Sequence, residues 1–158
     1  LGEEVRSQIR TLGVAINSGI SPITDKPMFS LPNDEVFIGM GVHGEPGVAR
    51  RKIGPVRDLV NFMMEKIIQD KPIEKNTTTI IIINGMGGTT LMELYTVYNE
   101  VYLYLKYLNI RSISPIIGSF STTQETSGFS ISILTPTPEM KELWIQPQET
   151  PNFPNIYD

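Results

Sequence analysis

The sequence has no cysteine and a single histidine. The first absence excludes a disulfide framework and thiolate chemistry, and the second excludes any metal site built on several imidazoles. A site made of carboxylates alone stays open in principle, but no acidic cluster marks one. Cationic runs are short as well: Arg50, Arg51 and Lys52 form the longest, and 13 Lys and Arg against 17 Asp and Glu leave a net charge of -4. That balance offers no footprint for phosphate backbones, so nucleic acid is not expected as a partner. Long hydrophobic runs are also missing. Runs such as Ile80 to Ile83 are strand-sized, far below the ~20 residues that cross a bilayer, and the N-terminal stretch LGEEVRSQIR has neither the basic start nor the apolar centre of a signal peptide. The chain is therefore expected to be soluble and cytoplasmic, with no membrane contact. It begins without methionine on what reads as the middle of a helical segment, which suggests a piece of something longer.

What is present fits one α/β domain, and 158 residues are enough to bury a sizeable core. Val5, Ile9 and Leu12 share a helical face and predict a short leading helix. The stretch LGVAINSGISPITDKPMF is rich in turn formers and is expected to be extended in pieces. DEVFIGMGV reads as a strand ending in glycines. Val56, Leu59, Val60, Met63 and Ile67 recur at helical spacing and predict a helix over 56–69, ended by Lys71-Pro72. TTTIIIIN is β-branched and apolar without alternation, as in a central strand covered on both faces.

Thr90 and Glu93 match the S/T-x-x-E capping box and predict the start of a long helix over about 90–108. Its apolar surface is wide: one stripe holds Leu91, Leu94, Tyr98, Tyr102 and Leu105, and a second holds Val97, Val101, Tyr104 and Leu108. IRSISPII and GFSISIL read as two further strands, the latter alternating Phe129, Ile131 and Ile133 with Ser130 and Ser132. A short helix near 138–143 and a proline-punctuated tail, extended on the surface or disordered, complete the pattern. Strands alternating with helices and no internal repeat indicate a single α/β unit.

Three features are candidates for chemistry. The spacing of Gly39, Gly41 and Gly44 spells G-x-G-x-x-G, but a dinucleotide site needs a helix to begin at the third glycine. Here Glu45-Pro46-Gly47 keeps the chain turning, so that reading is rejected. NGMGGTT, residues 84–90, joins a strand to a capped helix and either cradles a phosphate on free N–H groups or is a tight turn whose glycines allow close packing. The third is His43, which is either a loop histidine satisfied locally or a binding residue just past a strand end. In the second reading Glu45 could orient one ring nitrogen while the other faces a ligand, and a neutral imidazole can add to a ketone carbon.

Taken together, IGMGVHGEPGVAR, VAINSGISP, INGMGGTTLMEL and STTQETSGFSISIL resemble, in order and over nearly the whole chain, the dihydroxyacetone kinase family. The resemblance is to the C-terminal half of its substrate-binding subunit or domain. It implies that residues 1–158 form one domain lacking an N-terminal half, with a two-layer α/β sandwich and a mixed sheet of about six strands. It further implies that His43 forms a covalent hemiaminal with dihydroxyacetone or a similar short ketose, with Gly41 and Gly44 letting the backbone approach and Glu45 orienting the loop.

The same resemblance places ATP or ADP, with magnesium, on a separate nucleotide-binding kinase subunit or domain. It puts the acid and base residues in the N-terminal domain, so this chain alone is not expected to phosphorylate. A homodimer, with the long tyrosine-bearing helix as its contact, is expected too. A non-catalytic alternative within the same resemblance is a ketose-binding co-activator of a transcription regulator. The fourth block departs from the family where it carries Gln124 and Thr126 in place of Leu and Met, which puts the surface of 122–127 in question.

Overall fold

The computed structural model describes residues 1–41, 47–148 and 150. Its elements in chain order are α1 (Gly2–Gln8), β1 (Ile9–Ala15), β2 (Glu35–Ile38), β3 (Ala49–Lys52), α2 (Val56–Asp70), β4 (Thr78–Gly85), α3 (Leu91–Tyr107), β5 (Arg111–Gly118), β6 (Gly128–Leu134) and α4 (Pro138–Trp144). The six strands form one sheet in the order β3-β2-β1-β6-β4-β5. β4 and β5 run parallel, joined across α3, while the other pairings are antiparallel. The sheet is therefore mixed, as the resemblance implies.

Alternation decides which face each residue serves, because successive side chains of a strand point to opposite sides. Val14, Ile38, Ile81, Ile83, Phe129, Ile131 and Ile133 are buried on one face, against Val60, Met63, Met64 and Ile67 of α2 and Leu94, Val97, Val101 and Leu105 of α3. Each such side chain contributes roughly 1.5–3 kcal/mol relative to leaving it in water, so this layer is the main source of stability. On the opposite face Ile80, Leu134 and Met140 form a second, smaller cluster with Val5, Ile9, Ile113 and Trp144, under α1 and α4. Only one end of that face is covered.

Two expectations change. Val5, Ile9 and Leu12 do not share a helix: α1 stops at Gln8, and Ile9 opens β1, paired with Leu134 of β6. The spacing four then three suits a helix, but as strand residues Ile9 and Leu12 fall on opposite faces and reach both clusters. β4 is not covered on both faces along its length either. It lies next to the edge, and Ile82, on the face away from α2 and α3, is only half-buried.

The wide apolar surface of α3 is likewise divided: Leu94, Val97, Val101 and Leu105 are buried, whereas Leu91, Met92, Tyr95, Tyr102, Leu103 and Tyr107 are exposed. Its start is as predicted. Glu93 N–H donates to the Thr90 hydroxyl at 3.4 Å while the Glu93 carboxylate accepts from Thr90 N–H at 2.8 Å, closing the capping box.

Both margins of the sheet are irregular. β5 carries Pro115, has Ser114 at φ 41° and shifts register against β4 between Ile80 and Ile82. β3 is a four-residue strand with every residue exposed; the Arg50 guanidinium lies 4.6 Å above the Phe37 ring, and Lys52 pairs with Asp34.

Candidate functional site

His43, Gly44 and Glu45 lie outside the described residues, whereas Gly41 lies within them. The strands on either side of that segment pair with each other: β2 and β3 are antiparallel, with Ile38 opposite Ala49. The chain thus enters and leaves the His43 segment through a hairpin. This differs from a loop after a parallel strand, and β3 itself, ARRK, has no apolar pattern by which to predict it.

The other three motif blocks interlock at the same end of the sheet. Thr126 is buried, and its hydroxyl accepts from Gly19 N–H at 3.3 Å. A Cβ on Gly19 would collide with the carbonyl oxygen of Gln124, so only glycine lets these two backbones touch. Asn17 Oδ1 accepts from Ser127 N–H at 2.8 Å. From the second glycine loop, Met86 N–H donates to the Gly128 carbonyl at 3.0 Å and Gly88 N–H to the Thr126 carbonyl at 2.9 Å. Gly87, at φ +120°, has the Thr123 carbonyl oxygen 2.5 Å from where a Cβ would stand.

These contacts choose between the two readings of NGMGGTT. Its N–H groups at Met86 and Gly88 are spent on residues 126–128, and the helix start after it is occupied by the Glu93 carboxylate. Thr90 donates from both its hydroxyl and its N–H, which holds the Glu93 carboxyl below its ordinary value, so a negative group already sits at the helix N-terminus. The loop is a packing device. Gln124 and Thr126, the departures in the fourth block, form part of the same joint.

Above this joint, on the sheet face that α1 and α4 leave open, lies a hollow of about 610 Å³. Gly39, Met40, Gly41 and Val48, the two flanks of the His43 segment, line one side, and Thr11, Gly13, Asn84, Ser130 and Ser132 line its sheet floor. The hairpin is tied to that floor by Gly39 N–H donating to the Gly13 carbonyl at 2.7 Å. Gly13 keeps the centre open, since a Cβ there would stand 2.7 Å from the Met40 carbonyl oxygen.

Asn84 is buried and fully engaged: Oδ1 accepts from Phe120 and Ser121 N–H at 2.8 and 2.9 Å, and Nδ2 donates to the Ser121 carbonyl at 2.8 Å. It clamps the loop that forms another wall. Among the described residues no Lys, Arg, Asp or Glu lines the hollow. Hydroxyls and apolar side chains suit a small neutral polar molecule.

The Dak1 domain profile matches residues 1–152. The chain belongs to the Dak1 family. The dihydroxyacetone-binding subunit of a PTS-dependent dihydroxyacetone kinase from Listeria innocua is 32% identical over 151 residues, covering 96% of this Dak1 chain and 46% of that protein. A D-erythrulose kinase from Mycolicibacterium smegmatis is 29% identical, with 97% of this chain and 26% of that protein covered. Among solved structures, a dihydroxyacetone kinase operon co-activator superposes with a TM-score of 0.82 at 29% identity, over 92% of this chain and 46% of its own. The Dak1 chain spans about half the length of the subunit and of the co-activator. Among the described residues no helix is long and apolar enough to cross a membrane.

Sequence reasoning reached the glycines and the histidine through motif spacing, but not Thr11, Asn84, Ser130 and Ser132. The signal for the two serines was available, since strict alternation over 129–133 already assigns them to a polar face. Their convergence with Thr11 and Asn84 depends on the pairing of β1, β6 and β4, which is long-range.

Proposed function

We propose that this chain is the ketose-binding half of a kinase unit that phosphorylates dihydroxyacetone or a similar short ketose, with His43 holding the substrate as a covalent hemiaminal. The observation that carries this reading is a hollow with no Lys, Arg, Asp or Glu in its described lining, one side of which is formed by the two flanks of the segment containing His43, in a chain of the Dak1 family. A ring nitrogen of neutral His43 attacks the carbonyl carbon; the C–N bond forms as the C=O π pair moves to oxygen, which gains a proton while the imidazole gives up its N–H proton. No water leaves, so the adduct adds the full mass of the ketose. Glycerol has no carbonyl and is not trapped. Gly41 and Gly44 let the backbone approach the ligand, and Glu45 orients the loop.

Phosphate is supplied by a separate nucleotide-binding subunit or domain that holds ATP or ADP with magnesium, and acid–base groups come from an N-terminal domain. Support for this division is that the Listeria innocua relative is a dihydroxyacetone-binding subunit of a kinase, of which this chain spans 46%. A homodimer belongs to the same proposal, with the exposed Tyr95, Tyr102 and Tyr107 of α3 as its contact. Both a three-carbon and a four-carbon ketose fit it, since relatives include a dihydroxyacetone-binding subunit and an erythrulose kinase.

A second reading, a ketose-binding co-activator of a transcription regulator, is favoured by the likeness to the operon co-activator. One experiment separates the two: phosphate transfer to dihydroxyacetone by the complete polypeptide with a nucleotide-bearing partner subunit, alongside intact-protein mass spectrometry with and without ketose. Transfer supports the kinase, and an adduct without transfer supports the co-activator. A mass increase that persists in His43→Ala removes His43 from either mechanism.

A further inference from the structure

The floor of the hollow has one hydroxyl with no hydrogen-bond partner among the described residues. Thr11 and Ser132, opposite each other on β1 and β6, bond through their hydroxyls at 2.7 Å. Asn84 spends its amide on residues 120 and 121. Ser130 stands between them in the next row, opposite Gly13 on β1 and Asn84 on β4. Gly13 offers no side chain and the Asn84 amide is turned to the loop, so the Ser130 hydroxyl has no hydrogen-bond partner among the described residues.

Met40 and Met86 also line the hollow and add apolar surface. A half-buried hydroxyl in that setting pairs with whatever fills the hollow, water or a ligand, since leaving it bare costs free energy. Losing the bond to a ligand hydroxyl is therefore felt as affinity.

We propose that Ser130 is a ketose-binding residue, hydrogen-bonded to a hydroxyl of the bound sugar, and that it anchors the ligand independently of its covalent attachment. This deepens the proposed function and rests on it. The neutral, donor-and-acceptor hydroxyl matches an alcohol group and has no preference for an anion, so the floor serves the unphosphorylated ketose. Ser112 on β5 is the control, a serine outside the hollow whose hydroxyl pairs with that of Tyr98 at 3.4 Å.

The test is calorimetric titration of dihydroxyacetone into the complete polypeptide, wild type and the variants Ser130→Ala and Ser112→Ala, with unfolding temperatures measured in parallel. Ser130→Ala is expected to weaken binding about fivefold, the effect of one neutral hydrogen bond. Ser112→Ala is expected to stay within about twofold of wild type, because its hydroxyl lies outside the hollow. Unchanged affinity in Ser130→Ala overturns the proposal, and so does an equal loss in both variants, which would mean a general disturbance of the sheet. If Ser130→Ala also lowers the unfolding temperature, Ser130→Thr, which keeps the hydroxyl, must bind more tightly than Ser130→Ala or the proposal fails. No binding to the wild type would instead overturn the proposed function, and the Ser130 assignment with it.

Discussion

Gly19 and Gln124 touch backbone to backbone: the Gln124 carbonyl oxygen stands where a Gly19 Cβ would be, and Gly19 N–H donates to the neighbouring Thr126 hydroxyl. Residue 19 follows β1 and residue 124 precedes β6, so the contact sews together two loops more than 100 positions apart. Neither partner can yield cheaply, because both atoms belong to the main chain. Gly19→Ala is expected to cost about 1–3 kcal/mol, the range for overpacking, and to lower the unfolding temperature by several degrees in scanning calorimetry.

Asn84 predicts a different signature. Asn84→Ala removes three hydrogen bonds from the 120–121 segment and leaves a small void beneath it. The expected loss is about 2–3 kcal/mol, with faster amide exchange concentrated at Phe120 and Ser121. Uniformly faster exchange across β4 would show that Asn84 supports the strand and not the loop.

The capping box makes part of the stability of α3 dependent on pH. Bonds from the Thr90 hydroxyl and N–H to the Glu93 carboxylate, at 2.7 and 2.8 Å, hold its folded pKa below the ordinary value. For an acid depressed in this way the contribution is complete above the unfolded carboxyl pKa of about 4.3 and is lost as pH falls through the folded value. Glu93→Gln should therefore flatten the acid limb of a plot of unfolding temperature against pH. Thr90→Ala should do the same and, in addition, lose about 1 kcal/mol at neutral pH.

Gly13 keeps the hollow open, and adding a methyl group there tests its role in binding. A Cβ would lie 2.7 Å from the Met40 carbonyl oxygen and 3.1 Å from the Met86 methyl carbon. Because Met40 belongs to the segment leading to His43, the displacement passes directly to the hairpin. Gly13→Ala is expected to weaken dihydroxyacetone binding by about tenfold, equivalent to about 1.4 kcal/mol, as read by titration calorimetry.

How much of this is legible in the sequence depends on how far each signal reaches. Val56, Val60, Met63 and Ile67 carry a period that reports burial directly, and α2 lies where that period places it. Phe129, Ile131 and Ile133 do the same for β6. Val5, Ile9 and Leu12 mislead because the spacing of a helical stripe is also compatible with a helix that hands over to a strand, and only pairing with β6 makes the choice. β3 escapes detection since an edge strand needs backbone partners and not apolar side chains. The chemistry follows the same rule: the glycines and His43 stand out locally, whereas the unpaired state of Ser130 exists only in the register linking Gly13, Ser130 and Asn84.

The irregular margins of the sheet have a consequence for how molecules of this chain can meet. A strand edge recruits another strand when it is long, flat and apolar. Proline, a left-handed residue and a slipped register spoil one margin, and a short run of Arg and Lys spoils the other. Growth of the sheet from chain to chain, the route toward fibrils, is thereby discouraged on both sides. What is left for a second copy to meet is the broad surfaces, where side chains and not main-chain groups would select the companion.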